Sequence, residues 1–171
     1  MKKRVDLPEK KYEGYIFDLD GTLVDSMPLH YRAWREALAR AGAPDHVFRA
    51  DEFYSCGGKS ANDVVRFLNE RYGMHMDAAS TAADKRRIYL EMLEKEGMQP
   101  IREVVEFVHS LGDAPKAIAT GSAMPGASRT LAAAGLSGLF DVILTPDEVE
   151  HGKPAPDMFL KAAELLGASP D

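Results

Sequence analysis

The sequence predicts an α/β protein built on a doubly wound parallel sheet, with a block of helices inserted after the first strand. Three short apolar runs, at 12–18, 116–120 and 141–144, have the composition of buried parallel strands. A helical pattern follows each run, and strands that alternate with helices form parallel sheets. The interval between 44 and 97 holds only helical patterns, which predicts the inserted block.

The first strand enters a glycine-containing turn, and an amphipathic helix follows at 26–41. Ser26 is a favourable N-cap for this helix, and Gly42 can end it. One face of the helix collects apolar side chains, namely Leu29, Ala33, Trp34, Ala37 and Leu38. Within the inserted block, Ser60 can cap a second helix, and 77–96 has the pattern of a long polar helix.

After the inserted block, the alternation of strands and helices resumes. Pro100 is predicted to open a helix that leads into the second strand. Ser122 is predicted to begin the next helix, ahead of the third strand, and a last helix spans 156–166. These elements divide the chain into a discontinuous core, residues 1–27 and 98–171, and an α-helical cap, residues 28–97.

The composition is that of a folded, soluble protein. Of the 171 residues, 45% are hydrophobic and 28% are charged, and the single cysteine, Cys56, excludes an internal disulfide or a cysteine-rich zinc site. The net charge of -6 argues against nucleic-acid binding. No run reaches the roughly 20 apolar residues of a membrane span. We therefore expect a cytoplasmic protein that binds neither nucleic acid nor a membrane.

Two acidic residues follow the first strand, within the run FDLDGTLVDS at 17–26. Ligands of open α/β sheets bind at the carboxyl ends of the strands, which is where Asp18 and Asp20 stand. Carboxylates at positions i and i+2 can face one side of an extended chain, and Gly21 lets the backbone turn tightly. Two negative charges this close require a cation, and Mg²⁺ prefers such oxygen ligands. The run therefore predicts a magnesium site.

Three runs together resemble the signatures of the haloacid dehalogenase-like superfamily. The first is DLDGTLV at 18–24, and the second is ATGS at 119–122. In the second run, the Thr120 hydroxyl and the N–H groups of Gly121 and Ser122 make a reasonable phosphate cradle. The third is GKPAPD at 152–157, which carries Lys153. The resemblance covers essentially the whole chain and implies a Rossmann-like core with a cap.

The resemblance implies roles for four residues in phosphoryl transfer. Asp18 would attack phosphorus and form an aspartyl-phosphate, and Asp20 would act first as an acid and then as a base. The Asp18 carboxylate and the main-chain carbonyl of Asp20 would bind Mg²⁺. Thr120 and Lys153 would hold the oxygens of the transferring phosphoryl group.

The family's fourth signature, an acidic pair or triplet that completes the magnesium site, has no counterpart before the sequence ends. Asp147, Glu148 and Glu150 lie earlier, near the third strand. We therefore expect the natural protein to be longer, and the chain as given to bind Mg²⁺ poorly and be nearly inactive. In the family's strand order, the first strand then has an unpaired edge. A full-length chain is expected to be a monomer.

The helical cap and the segment at 29–34 resemble the β-phosphoglucomutase-like branch, and within it bacterial fructose-1-phosphate phosphatases. His30 is expected either near the cap hinge and the substrate or as a structural residue of its helix. The run GGKS at 57–60 resembles the cap loop that closes over substrate. Gly58 and Lys59 would then contact the substrate, and a plain helix-capping loop is the other interpretation.

Three functions remain open at this point. The first is a phosphatase that acts on a small sugar phosphate, and the second is a β-phosphoglucomutase-like isomerase. Mutases of this branch carry an arginine where this chain has Ala61, which favours the phosphatase, although Lys59, Lys85 and Arg86 could compensate. The third is a remnant that binds phosphate or a partner without catalysis, and the intact signatures argue against it.

Overall fold

The computed structural model describes residues 12–170 and confirms the α/β class with a parallel sheet. Strand β1 (Tyr15–Phe17), strand β2 (Lys116–Ala119) and strand β3 (Val142–Leu144) form one sheet in the order β1-β2-β3. Both pairings are parallel, with Ile16 opposite Ala117 and Ala117 opposite Val142. The carboxyl ends of the three strands therefore meet at one edge of the sheet.

Helices make up most of the remainder of residues 12–170. They are α1 (Met27–Arg40), α2 (Ala50–Ser55), α3 (Ala61–Tyr72), α4 (Ala78–Glu96), α5 (Arg102–Ser110), α6 (Met124–Ala133) and α7 (Asp157–Leu166). A 3-10 turn, Pro146–Glu148, follows β3. Helix α2 was not predicted as a separate element. None of these helices is both long and apolar enough to cross a membrane.

Two predicted helix starts were wrong. Helix α5 begins at Arg102 and not at Pro100, because Pro100 pairs with Val24 in an antiparallel bridge. Helix α6 begins at Met124 and not at Ser122, whose hydroxyl bonds a carboxylate of the site instead of capping the helix. The predicted cap Ser60 was correct, since it accepts a main-chain N–H bond at the start of α3. The helix predicted over 77–96 is α4, and Asp77 is its N-cap.

Helix α1 packs on two sides and so joins the sheet to the helical segment. The whole predicted apolar face of α1 is buried. Leu29, Ala33 and Ala37 pack in one cluster with residues of β2, α4 and α6, whereas Trp34 and Leu38 pack in another with α2 and α3. Full burial of a large apolar side chain contributes about 1.5–3 kcal/mol to stability. This double packing fixes α1 beside the end of β1.

The chain enters and leaves the helical segment at adjacent points. The Asp25 N–H donates to the Gln99 carbonyl (3.0 Å), and the Ile101 N–H donates to the Leu23 carbonyl (2.8 Å). The segment that leads into the helices, at 23–25, and the segment that returns from them, at 99–101, therefore lie side by side. The division into core and cap at 28–97 stays a prediction, and its outermost residues, 1–11 and Asp171, lie outside the described part of the chain.

Candidate active site

The loop after β1 forms the floor of the candidate site. The Gly21 N–H donates to the Val24 carbonyl (2.9 Å), and the Leu23 N–H donates to the Leu19 carbonyl (3.0 Å). Gly21 has φ +77°, a left-handed conformation that favours glycine. This tight turn places Asp18 and Asp20 at the carboxyl end of the sheet, where ligands of such sheets bind.

Asp18 faces the cavity with a lysine as its cation partner. The Lys153 ammonium donates to Asp18 Oδ1 at 2.8 Å, and the Leu19 N–H donates to the same oxygen at 2.9 Å. The other oxygen, Oδ2, accepts no hydrogen bond from the described residues. The Asp18 side chain is 36% exposed, whereas that of Lys153 is only 12% exposed. A partly open carboxylate with one unbonded oxygen is suited to act as a ligand or a nucleophile.

Asp20 lies instead within a cluster of side-chain donors, which we call the Asp20 cluster. It consists of Asp20, Ser26, His30, Thr120 and Ser122. Ser26 Oγ (2.6 Å) and His30 Nε2 (2.9 Å) contact Oδ1, and Ser122 Oγ (2.7 Å) and Thr120 Oγ1 (3.3 Å) contact Oδ2. Burial alone would raise the pKa of the Asp20 carboxyl, but His30 and the Ser26 and Ser122 hydroxyls outweigh it and hold the pKa well below its ordinary 3.8. The cluster therefore keeps Asp20 ionised.

The imidazole of His30 links Asp20 to a lysine on α4. Lys85 Nζ lies 2.9 Å from His30 Nδ1, on the opposite side of the ring from Asp20. Burial and the Lys85 charge lower the pKa of His30 from its ordinary 6.5, whereas Asp20 acts in the opposite direction. The tautomer that satisfies both contacts donates from Nε2 to Asp20 and accepts from Lys85 at Nδ1. Burial in turn lowers the pKa of Lys85 to about 8.

A cavity of about 360 Å³ opens above these residues. Its walls include the predicted site residues Asp18, Asp20, His30, Gly58, Lys59, Gly121, Ser122 and Lys153. Trp34, Phe48 and Phe53 supply an apolar wall, and Asn62 and Arg86 add polar groups from α3 and α4. Volume and lining are those of a site for a small polar ligand.

The loop before α3 closes over the loop after β2. A Cβ on Gly121 would lie 2.7 Å from the Gly58 carbonyl oxygen, which is closer than real Cβ contacts. Gly58 itself has φ +81°, and a Cβ there would lie 3.2 Å from Lys153 Cδ. The two glycines therefore allow the helical segment to approach the sheet edge backbone to backbone.

The structure brings most of the predicted site residues together, with two differences. Thr120 is fully buried with its hydroxyl near Asp20, and it does not line the cavity. The Ser122 N–H, expected to be free for phosphate, donates to Thr120 Oγ1 (3.0 Å). Lys59 lines the cavity, with its ammonium 5.5 Å from the centroid of the Phe67 ring, and its contact with a substrate stays a prediction.

Several residues of the site were missed by sequence reasoning. Ser26 was interpreted as a cap, but it makes no side-chain cap and donates to Asp20. Lys85 was considered only as a substitute for a missing arginine, and Tyr89, which stacks on His30 with ring centroids 4.0 Å apart, was not considered. The signal in the sequence that could have indicated them is a four-residue spacing on a helix. Ser26 and His30, like Lys85 and Tyr89, are four residues apart and so share a helical face.

The described residues supply only part of a metal site. Within 12–170, no group of three or more acidic, histidine or cysteine side chains could hold a metal ion. The Asp20 carboxylate is already bonded by its cluster, which leaves the Asp18 carboxylate and the main-chain oxygen of Asp20. This donor set fits Mg²⁺, which commonly binds one or two protein oxygens and takes its other ligands from water and phosphate.

The chain is similar in sequence to a family of hydrolases and to two enzymes named for phosphosugars. Residues 12–171 match the haloacid dehalogenase-like hydrolase family. The chain is 33% identical over 162 residues to fructose-1-phosphate phosphatase YqaB of Escherichia coli, covering 94% of this chain and 84% of that protein. It is also 33% identical over 191 residues to a β-phosphoglucomutase of Mycobacterium bovis, covering 96% of this chain and 72% of that protein.

A solved structure shares both the fold and part of the sequence. The crystal structure of a hydrolase from Pseudomonas syringae superposes with a TM-score of 0.80 at 31% identity, covering 91% of this chain and 71% of that chain. The similarity extends over the sheet and the helical segment together.

Proposed function

Because the chain belongs to the haloacid dehalogenase-like hydrolase family, we propose that it is a magnesium-dependent phosphatase that hydrolyses a small sugar phosphate. The family and the phosphatase relatives make it a phosphohydrolase. The observation that carries the finer proposal is the contrast within one loop. Among residues 12–170, no group donates to the second oxygen of Asp18, beside Lys153, whereas four side-chain donors hold Asp20.

In the first step, Asp18 Oδ2 attacks the phosphorus of the bound ester. A bond forms between this oxygen and phosphorus, the bond from phosphorus to the ester oxygen breaks, and protonated Asp20 gives its proton to the leaving alkoxide. Lys153, 2.8 Å from Asp18 Oδ1, stabilises the negative charge of the carboxylate and of the phosphoryl oxygens. The products of this step are the free sugar and an aspartyl-phosphate.

In the second step, water replaces Asp18 at phosphorus. Asp20 takes a proton from the attacking water, the bond between phosphorus and Asp18 breaks, and inorganic phosphate leaves. The Asp20 cluster holds the ionised form that this step requires. The first step requires the protonated form, so we infer that the hydrogen bonds to Asp20 rearrange when substrate fills the cavity.

The donor set assigned to Mg²⁺ is the Asp18 carboxylate with the main-chain carbonyl of Asp20. The bound ion would neutralise charge on the phosphoryl oxygens during transfer. Thr120, Gly121 and Ser122 are proposed to contact phosphate once it is bound, and this role rests on their place at the end of β2.

We propose that the substrate is a small phosphosugar because of the size and lining of the cavity. An apolar wall of aromatic side chains can lie against the face of a sugar, and Asn62, Lys59 and Arg86 can meet its hydroxyl groups. The relative in E. coli is named a fructose-1-phosphate phosphatase, which supports this substrate class. We also propose that residues 28–97 form a cap whose loop at Gly58 covers the bound sugar.

The mutase is the second candidate, favoured by the relative named β-phosphoglucomutase. A mutase must hold a bisphosphate at both ends. Ala61, the first residue of α3, presents only a methyl group to the cavity. Lys85 is bonded to His30 and does not replace an arginine at that place. These contacts favour the phosphatase.

The proposal is tested with the natural protein, by phosphate release from a panel of sugar phosphates, including fructose 1-phosphate and β-glucose 1-phosphate, with and without Mg²⁺. We expect release that depends on Mg²⁺, and we expect Asp18→Asn to lower it by about 10³-fold or more. Formation of glucose 6-phosphate from β-glucose 1-phosphate without phosphate release would assign the mutase instead. Substantial turnover by Asp18→Asn would contradict Asp18 as the nucleophile.

A further inference from the structure

Tyr89 of α4 lies between His30 of α1 and Thr130 of α6. Its side chain is almost fully buried, at 3% exposed. The ring stacks on the His30 imidazole with centroids 4.0 Å apart and an interplanar angle of 14°. Its hydroxyl lies 2.8 Å from Thr130 Oγ1 on α6, and Thr130 is fully buried. One side chain therefore connects α1, α4 and α6.

The stacked ring constrains the direction of the His30 hydrogen bond. An imidazole donates in the plane of its ring, so a rotation of that plane would move the Nε2 proton away from Asp20 Oδ1, 2.9 Å away. The parallel Tyr89 ring blocks that rotation on one face. Close packing around His30 limits rotation of the imidazole. In the orientation that it has, Nε2 contacts Asp20 and Nδ1 contacts Lys85.

The same tyrosine also contacts the other partner of His30. Lys85 Nζ lies 5.4 Å from the centroid of the Tyr89 ring and 5.5 Å from that of Trp34, so the ammonium sits against two aromatic faces. These contacts hold the ammonium where it donates to His30 Nδ1. Tyr89 thus touches both residues that approach Asp20 from the helical segment.

The hydroxyl of Tyr89 fixes the ring to the sheet side of the molecule. Thr130 belongs to α6, the helix that follows the loop carrying Ser122, and Ser122 donates to Asp20 from the opposite side. A buried hydroxyl pair of this kind is costly to leave without a partner. The Tyr89–Thr130 pair therefore adds a polar contact to the apolar packing between α4 and α6.

We propose that Tyr89 is a positioning residue that sets the orientation of Asp20 through His30 and Lys85. The proposal deepens the proposed function, because it rests on Asp20 as the acid and base of phosphoryl transfer. Tyr89 takes no part in proton transfer itself. Its ring provides the orientation, and its hydroxyl provides the anchor.

The kinetic test compares Tyr89→Phe with Tyr89→Leu on a sugar phosphate that the wild type hydrolyses. Phenylalanine keeps the stacked ring, so we expect kcat within about threefold of wild type. Leucine removes the ring, so we expect kcat to fall by about tenfold or more. We expect a smaller change in KM, because Tyr89 is one of many residues that line the cavity but is the residue that stacks on His30. Ile88→Ala, a buried change on the same helix away from His30, serves as the control for loss of stability.

A double-mutant cycle separates positioning from general disruption. If Tyr89 acts through His30, Tyr89→Leu should change kcat by less than about twofold when His30→Gln is already present. Equal losses from Tyr89→Leu in both backgrounds would overturn the proposal, because they would show that the tyrosine supports the fold and not the imidazole.

A spectroscopic measurement tests the same contact without activity. The groups that face the imidazole are Asp20, Lys85 and Tyr89. The His30 Nε2 proton, identified by its loss in His30→Gln, should give a slowly exchanging downfield ¹H NMR signal at one fixed pH in the wild type and in Tyr89→Phe, because it is held against Asp20 Oδ1. We expect Tyr89→Leu to broaden or lose this signal, because the imidazole is then free to rotate. The same signal in all three proteins would overturn the proposal, whatever substrate the enzyme proves to have. Failure of the phosphatase assay alone would count against the proposed function, and the NMR signal would still decide the role of Tyr89.

Discussion

Asp18 and Asp20 stand two residues apart in one loop, yet they lie in different surroundings. The Asp18 side chain is 36% exposed and pairs with one cation, whereas the Asp20 side chain is 16% exposed and accepts from four side chains. Differences in exposure and in hydrogen-bond partners can give two aspartates separate chemical roles. The open carboxylate suits attack on a ligand in the cavity, and the enclosed one suits controlled exchange of a proton.

The largest effect is expected on the Asp18 side, at its only cation contact in the described structure. Lys153→Met removes the positive charge that lies 2.8 Å from Asp18 Oδ1. We expect kcat for phosphate release to fall by about 10²- to 10³-fold, as for other groups that stabilise developing charge. Lys153→Arg is the matched control and should retain more activity than the methionine variant. Equal activity of wild type and Lys153→Met would show that the pair has no part in catalysis.

On the Asp20 side, the next effect concerns stability. Ser122→Ala removes a 2.7 Å hydrogen bond to a charged carboxylate. We expect the free energy of unfolding at pH 7 to fall by about 1.5–3 kcal/mol in urea denaturation. Because the folded pKa of Asp20 is lowered, its contribution is present above 3.8 and is lost as the pH falls below that value. The difference between variant and wild type should therefore shrink only in strong acid.

The matched control for that change is Ser110→Ala, which removes an exposed hydroxyl at the end of α5 that donates to the Phe107 carbonyl. It should alter the free energy of unfolding by no more than about 0.5 kcal/mol. Similar losses in the free energy of unfolding for both variants would contradict a special contribution of the Ser122–Asp20 hydrogen bond.

A smaller effect is expected where the helical segment closes over both carboxylates. Gly121→Ala places a methyl group 2.7 Å from the Gly58 carbonyl oxygen and should push that loop outward. Cys56, the single cysteine of the chain, is buried next to this loop and reports its opening. We expect alkylation of Cys56 to become about tenfold faster, which corresponds to about 1.4 kcal/mol in local opening. Gly126→Ala adds the same methyl within α6, where no atom outside the local backbone of the helix lies within 4 Å, and should leave the rate unchanged.

The smallest effect is a pH-dependent change at Lys85. Burial lowers its pKa from 10.5 to about 8, so the unfolded chain holds more protons than the folded protein between these values. Stability contributed by this group therefore rises with pH across that window. Lys85→Met should raise Tm by about 1–3 °C relative to wild type at pH 7, and the gain should vanish toward pH 10.5. An equal difference in Tm at both pH values would contradict the assigned burial of the charge.

The sequence predicted the order of the strands and of every helix except α2, together with many of the residues that line the cavity. Local signals sufficed where one residue decides an element, as with the cap Ser60 at the start of α3. They also placed the end of α4 at Glu96 and the end of α7 at Leu166. The predicted ends of the strands and the predicted starts of α5 and α6 were less accurate. The helix starts were misplaced because Pro100 and Ser122 take partners that are distant in sequence.

The surroundings of Asp20 were the part that the sequence did not predict. Ser26 and Ser122 looked like helix caps, because a hydroxyl before a helical pattern has that meaning locally. Their carboxylate partner is reached only when the loops after β1 and β2 meet, across 102 residues in the case of Ser122. Lys85 and Tyr89 reach His30 from a helix 55 or more residues away, which no local pattern reports.

The most direct test of this division of tasks is the time course of p-nitrophenol release from p-nitrophenyl phosphate by Asp20→Asn in the presence of Mg²⁺. This leaving group departs without a proton, so attack by Asp18 needs no acid, whereas release of phosphate from Asp18 still needs a base. We predict a burst that approaches one p-nitrophenol per chain, followed by turnover at least about 10²-fold slower than wild type. Steady turnover at the wild-type rate without a burst, or the same burst from Asp18→Asn, would contradict the account.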